Sequence, residues 1–194
     1  MSRPPLGGFF DRCAPSWDNG CPAGLTAAIS KIFAAARLHP GSRILDVGAG
    51  TGILYPYFLK AGAGAYTAVD SSPAMVQRFK AKHPEAAVLE ADYEKPIVFP
   101  EPFDVIMIFN AFPHFRDEEA VFRRSRSYLS AGGRLFICHS MNREALNAHH
   151  RDAGGTVAGD VLISDARMAG LYRKAGFTAV RVENTDHFYS EGTK

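Results

Sequence analysis

Ile44, Leu45, Asp46 and Val47 run into Gly48, Gly50 and Gly52, and no other segment restricts the fold so tightly. A short apolar run suits a buried strand, yet Asp46 stands inside it, where a carboxylate is costly unless it has a task. The glycines follow where a strand should turn into a helix. This describes a strand whose C-terminal edge lies against a ligand, with a turn of backbone that can approach it closely.

The flanking pattern extends this start into an α/β order. Residues 25–37 read as a helix, with Leu25, Ile29, Ile32, Phe33 and Ala36 on one face, and Pro40-Gly41 stops it. Strand 43–47 is followed by a helix expected over 51–61, with Pro56 in its first turns. Ala65–Val69 is the next strand. A cap ahead of Pro73 opens a helix over 73–83. Short strands follow at 87–89 and at 103–109, the latter so apolar that both its faces should be buried. A helix over 118–129 and a strand over 133–139 complete the alternation, which implies right-handed crossovers and a parallel sheet covered on both faces. Beyond it come a helix over 164–175, a strand over 178–184 and a short strand over 187–190. The last two are joined too tightly for anything but an antiparallel pair. The short final strand is also one that another chain could extend.

Composition narrows the setting. At 194 residues, 46% hydrophobic and 22% charged, the chain suits one domain over 1–194. A net charge of +2 without long runs of one sign gives no case for nucleic acid or an anionic membrane as partner. The longest apolar stretch, Val105–Phe109, is far too short to span a bilayer. The start at Met1–Pro5 lacks a signal-peptide core. Cys13, Cys21 and Cys138 form no CxxC pair and fit reduced thiols in a cytoplasmic protein.

Ligands of open parallel sheets sit at the strand C-termini where strand order reverses, and acids stand at three strand ends: Asp46, Asp70 and Asp92. A carboxylate at 70 can accept both hydroxyls of a ribose, and one at 92 can accept from an adenine amine. The free amides at the first helix start suit a carboxylate. The spacing Gly48-x-Gly50-x-Gly52 departs from the G-x-G-x-x-G dinucleotide pattern, since Ile53 falls where the third glycine belongs. With no Tyr-x-x-x-Lys pair, a nicotinamide-dependent dehydrogenase is disfavoured. No phosphate-cradling G-x-x-x-x-G-K-[ST] loop is present either.

At these residues the chain resembles the class I S-adenosylmethionine-dependent methyltransferases, over roughly residues 9–190. The turn Asp46–Gly52 matches the family's first motif and Ala68-Val69-Asp70 its ribose-binding strand end. Glu90-Ala91-Asp92 is similar to the adenine-contacting turn. Phe103–Ile106 with Asn110 and His114 resembles the fourth motif, and Leu129–Leu135 the glycine turn before the fifth strand. The resemblance implies a Rossmann-like, doubly wound, seven-stranded sheet, mostly parallel with the last strand antiparallel. It implies S-adenosyl-L-methionine as cofactor and S-adenosyl-L-homocysteine as product. Carried over residue by residue, Gly48, Ala49, Gly50 and Gly52 admit the methionine part and Asp46 holds its ammonium. Asp70 binds the ribose, Ser71 and Met75 flank the adenine, Asp92 and the Tyr93 amide read its edge, and Asn110 lies near the transferable methyl.

The acceptor is expected to be a small molecule. His114, just past the fourth strand, is the candidate base for an acceptor that must lose a proton. The segment Asn110-Ala111-Phe112-Pro113-His114 lacks the proline pair of the family's DNA-amino type. Two regions outside the common core should shape the acceptor pocket. Within the cap region 1–40, Phe9 to Asp18 resembles the lead-in of quinone-type and related small-molecule enzymes, and Trp17 is placed to cover the site. The insert 140–163 carries His149 and His150 on a short polar helix, with His150 the candidate substrate contact. His139, His149, His150, Asp160 and His187 are close in sequence, but adjacent helical histidines sit ~100° apart, and no metal-ligand spacing supports a metal site. Clustered thiols of an arsenite-methylating kind are absent. A cofactor-binding regulatory or scaffold subunit without turnover is the alternative. The acceptor atom and the oligomeric state are left open.

Overall fold

A computed structural model describes residues 7–19, 24–153 and 155–194. Cys21, Gly154 and the first residues of the chain lie outside these. The seven strands are β1 Arg43–Val47, β2 Ala65–Asp70, β3 Ala87–Glu90, β4 Phe103–Phe109, β5 Leu129–His139, β6 Thr178–Asn184 and β7 Phe188–Thr193. They form one sheet in the order β3-β2-β1-β4-β5-β7-β6. All neighbours pair in parallel except β7, which runs antiparallel between β5 and β6. The doubly wound, mostly parallel sheet read from the sequence is therefore the observed one.

Strand alternation sends Leu45, Val47, Ile106 and Ile108 to one face and Ile44, Val105, Met107 and Phe109 to the other. The first face packs on helices α5 (Glu118–Tyr128) and α7 (Asp165–Lys174) through Phe122, Met168 and Tyr172. The second packs on α2 (Leu25–Ala36) through Leu25, Ile29 and Ile32, and on α3 (Tyr55–Lys60) through Phe58. Helix α4 (Pro73–Lys82) starts at Ser72, whose hydroxyl accepts from the Met75 amide 3.2 Å away. Two further helices, α1 (Gly7–Cys13) and α6 (Arg143–Ala153), border the strand C-termini.

Three expectations need correction. The helix expected over 51–61 begins only at Tyr55. Gly50 (φ 55°) and Gly52 (φ 88°) are left-handed, so residues 51–54 stay in turns. Strand β5 begins at Leu129 rather than 133, and the loop through Gly132 (φ 76°) appears as a register shift against β4. The last strand is not an edge open to another chain, because β7 lies inside the sheet with partners on both sides. Strand order reverses between β1 and β4, whose C-terminal ends open the crevice where such sheets hold ligands.

Candidate functional site

The crevice is a cavity of about 660 Å³ that runs from the glycine turn to His114 and α6. One end is built by the β1 and β2 termini. Asp46 is 1% exposed and its carboxylate accepts a 2.7 Å bond from the Tyr66 hydroxyl. Burial pushes its pKa up to about 7; the Tyr66 bond opposes the rise and Asp70 adds to it. Asp70 is also raised by burial, while the Ser72 and Gly50 amides, 2.9 and 2.8 Å from its two oxygens, hold it down. Asp70 thus ties the glycine turn to the start of α4 while lining the cavity.

The glycines divide into two kinds. A Cβ on Gly48 would stand 2.6 Å from the Ala111 Cβ, and one on Gly52 2.7 Å from Phe79. A Cβ on Gly50 would meet nothing nearer than Trp17 Nε1 at 3.7 Å. Gly48 and Gly50 line the cavity and Gly52 is not among its lining residues. Gly52 thus serves the packing of α4 under the turn.

The other expected cofactor residues gather around the same end. Ala49, Ser71, Met75, Asp92, Tyr93 and Asn110 all line the cavity. The Tyr93 side chain is buried in the core with its hydroxyl 2.9 Å from Ser125 Oγ. Asp92 accepts from the Glu94 amide at 2.9 Å and pairs with Lys95 at 3.5 Å. Asn110 is left-handed (φ 52°), a conformation asparagine tolerates, and its Oδ1 accepts from the Ser140 amide at 2.8 Å, joining the ends of β4 and β5.

The opposite end is walled by His114, Phe115, Met141 and His150, and Phe10 and Trp17 run from there back over the glycine turn. Trp17 is 47% exposed and sits edge-on to Phe10, which sits edge-on to His114. The α1 region is fastened by two aspartates. Asp11 accepts from Ser72 Oγ at 2.6 Å and from the Ala74 amide at 3.2 Å. Asp18 accepts from Thr51 Oγ1 at 2.6 Å and pairs with Arg78 and Lys82. His114 Nδ1 lies 2.8 Å from Asp160 Oδ2, and the His114 and His150 rings are 5.3 Å apart. His149 is exposed and His150 buried, as adjacent helical positions require. His139 is fully buried, and among the described residues neither of its ring nitrogens has a hydrogen-bond partner. Burial pushes its pKa down to about 3, with His114 and His150 adding to the fall.

Phe10 and Asp18 line the cavity, and Asp11, His139 and Asp160 bond to or adjoin its lining; sequence reading left all five without a role. Asp11 and Asp18 each adjoin an aromatic of the lead-in, which is the signal that could have found them. Among the described residues no three His, Cys, Asp or Glu side chains are placed to hold a metal ion, and no helix is long and apolar enough to cross a membrane.

Two observations test the fit of the cofactor implied by the sequence. Gly50 offers a bare backbone edge under Trp17. The paired acids Asp46 and Asp70, both raised by burial, suit a ligand bearing an ammonium and ribose hydroxyls. Comparison with known proteins agrees. Residues 44–133 match the model of a methyltransferase domain. A ubiquinone biosynthesis O-methyltransferase of Xanthomonas campestris pv. campestris is 32% identical over 137 residues, covering 66% of this chain and 56% of that protein. Its counterpart in Xylella fastidiosa is 31% identical over 103 residues, 50% of this chain and 41% of that one. The chain thus spans about half the length of the curated relatives it matches. Among solved structures, an S-adenosylmethionine-dependent methyltransferase of Thermotoga maritima, described as a possible histamine N-methyltransferase, superposes with TM-score 0.77. It is 18% identical, over 98% of this chain and 100% of that one. One from Aquifex aeolicus gives 0.74 at 21% identity, over 94% and 97%. These likenesses show the shared fold. From the glycine turn, the acids at the strand ends, the inserted antiparallel strand and the matched domain, the chain belongs to the class I S-adenosylmethionine-dependent methyltransferase family.

Proposed function

We propose that this protein transfers a methyl group from S-adenosylmethionine to a hydroxyl oxygen of a small molecule. The carrying observation is that one cavity has both a nucleotide-type end at Gly48, Gly50 and Asp70 and an aromatic, histidine-bearing end at His114. When bound, the cofactor supplies a sulfonium-activated methyl carbon. Gly48, Ala49 and Gly50 would admit its methionine part, Asp46 its ammonium, and Asp70 its ribose. Ser71, Met75, Asp92 and the Tyr93 main chain surround the place for the adenine, and Asn110 stands between the two ends. Since the electrophile is already activated, the protein's work is alignment, exclusion of water and removal of a proton. Phe10 and Trp17 cover the cavity, and His114 is the base.

Oxygen is favoured by two things. The curated relatives are named O-methyltransferases. Arg116 and three histidines, His114, His149 and His150, line the acceptor end, against Glu94, whose carboxylate accepts from the Arg116 and Asp117 amides. That balance suits an acidic hydroxyl better than an ammonium. Calorimetry with S-adenosylmethionine, S-adenosylhomocysteine and NAD, followed by methyl release with phenols, thiols, amines and quinones, tests the reading. Binding of both sulfur nucleotides with turnover on hydroxyl acceptors is expected. NAD binding alone would sink it, and cofactor binding without turnover on any acceptor would favour the scaffold alternative.

A further inference from the structure

We propose that Asp160 is the positioning residue of the acceptor end, setting His114 and His150 as two bare Nε2 acceptors, His114 for the hydroxyl to be methylated and His150 for a second hydrogen-bond donor on the same molecule. The proposal rests on the methyl-transfer reading above and adds to it a residue, a tautomeric state and a selection rule.

Asp160 lies in the segment between α6 and α7 and is 1% exposed. It does not line the cavity, whereas both histidines do. Both rings reach it by Nδ1: His114 to the carboxylate at 2.8 Å, and His150 to the main-chain carbonyl at 2.6 Å. A carbonyl oxygen only accepts, so the His150 Nδ1 carries a hydrogen and donates it. The Asp160 carboxylate oxygen likewise accepts, and the His114 Nδ1 donates to it. In a neutral imidazole the other nitrogen is then an unprotonated acceptor. Burial lowers the pKa of His150, keeping that ring neutral. His139 is neutral beside both rings. Because Asp160 sits behind the wall, the ring edges remote from it are the edges turned to the cavity. Two lone pairs therefore face the acceptor space on rings 5.3 Å apart.

Such a pair selects an O–H donor. An ether of the same shape leaves the His114 lone pair unmet, which costs binding. An ammonium can donate but has no electron pair with which to attack, and Arg116 on the same wall opposes its charge. The two rings differ in what stands behind them. Only His114 is backed by a carboxylate, which stabilises an imidazolium, so His114 takes the proton of the hydroxyl to be methylated, and His150 accepts from a second N–H or O–H of the same acceptor molecule. With the cofactor bound to supply the methyl carbon and leave as its thioether, the acceptor O–H proton would pass to His114 Nε2 as the oxygen pair takes up the methyl. Charge would balance as imidazolium beside carboxylate.

The test is long-range proton–nitrogen NMR on the full chain labelled at histidine, without ligand. In the unaltered protein both His114 and His150 should show protonated Nδ1 and bare Nε2. In Asp160→Ala the Nε2–H form of His114 should become the majority, while His150, held by a main-chain carbonyl, keeps its Nδ1–H. Asp160→Asn, of equal volume, supplies the same reading if the alanine variant does not fold. Phenol should then move the His114 Nε2 resonance of the unaltered protein, and anisole should not. An unchanged His114 tautomer in the folded variants, or equal responses to phenol and anisole, would overturn the proposal. Calorimetry with S-adenosylmethionine on the same samples separates the two levels. Loss of cofactor binding in the unaltered protein would refute the methyl-transfer reading whatever the tautomers show.

Discussion

The two ends of the cavity are built in different ways. The end proposed for the cofactor comes from strand termini and the turns that follow them, so Asp46 to Gly52, Asp70 to Met75 and Asp92 to Tyr93 are each local in sequence. The end proposed for the acceptor joins pieces from four regions: Phe10 and Trp17, His114 and Phe115, Met141 to His150, and Asp160 behind them. A sheet crevice dictates the first, since main-chain geometry at a switch point needs glycines and acids wherever a nucleotide is held. Nothing in the sheet dictates the second. It is carried by segments outside the parallel core, which is where sites on shared folds differ from one another.

The largest expected effect tests whether the ends are separable. His114→Asn should lower kcat by about 10²- to 10⁴-fold, the usual span for a lost general base, and leave S-adenosylmethionine affinity within about twofold. His150→Ala should act on the acceptor KM and again spare the cofactor. Steady-state methyl release beside calorimetry reads both. A drop in cofactor affinity in either variant would show that the ends are coupled.

Next in size is a contrast inside the glycine turn. Gly48→Ala forces a Cβ to within 2.6 Å of the Ala111 Cβ at φ 68°. Left-handed strain of about 1–2 kcal/mol and overpacking of about 1–3 kcal/mol should add, lowering Tm by several degrees. Gly50→Ala carries only the left-handed strain, because its Cβ meets open cavity under Trp17. It should fold and lose cofactor affinity by about tenfold or more, equivalent to about 1.4 kcal/mol. Equal thermal losses in the two variants would contradict the division between packing and binding glycines.

Legibility follows the same division. The parallel sheet, the antiparallel pairing at its end and the gathering of the strand-end acids at one crevice were readable because hydrophobic period, short connections and strand-end acids are local signals, whereas the place of the last strand inside the sheet was not. Helix α3 was read too long because the glycines marking the ligand turn also keep residues 51–54 out of the helix. Gly52 looked like a ligand glycine because spacing cannot distinguish a Cα that faces a cavity from one that faces Phe79. Asp160 stood out only as one polar residue in a histidine-bearing insert. Its partner His114 is 46 positions away, and no periodicity encodes that distance. Asp11 and Asp18 escaped for the same reason, since they bond to Ser72 and Thr51 across the chain.

A smaller effect sharpens the electrostatics of the cofactor end. Burial raises the pKa of Asp46 to about 7, above its unfolded value near 3.8. The folded state therefore binds more protons between those values, and stability falls as pH rises through that window. An ammonium placed beside Asp46 should favour the carboxylate, so cofactor binding near pH 7 should release a proton. Calorimetry in buffers of different ionisation enthalpy would measure that release. Asp46→Asn should abolish it, weaken cofactor binding by about tenfold, and make the free protein more stable than the unaltered one at pH 8. Unchanged buffer dependence in the variant would assign the proton to another group.

The smallest change at neutral pH concerns a buried imidazole. His139 ends β5 against Phe188, with neither ring nitrogen partnered among the described residues. Its pKa falls from 6.5 to about 3 on folding, driven first by burial and then by His114 and His150. For a base with a depressed folded pKa, the unfolded state binds the extra proton. Stability is therefore intact above about 6.5 and lost progressively as pH falls toward 3. His139→Leu removes both the unmet nitrogens and that titration. At pH 7 it should change stability by no more than about 1 kcal/mol, in the stabilising direction, and it should flatten the decline between pH 6.5 and 3. Urea unfolding across that range is the measurement. A variant clearly less stable at pH 7 would mean that the His139 nitrogens are satisfied after all, and that the acceptor end has a third working imidazole rather than a neutral neighbour to two.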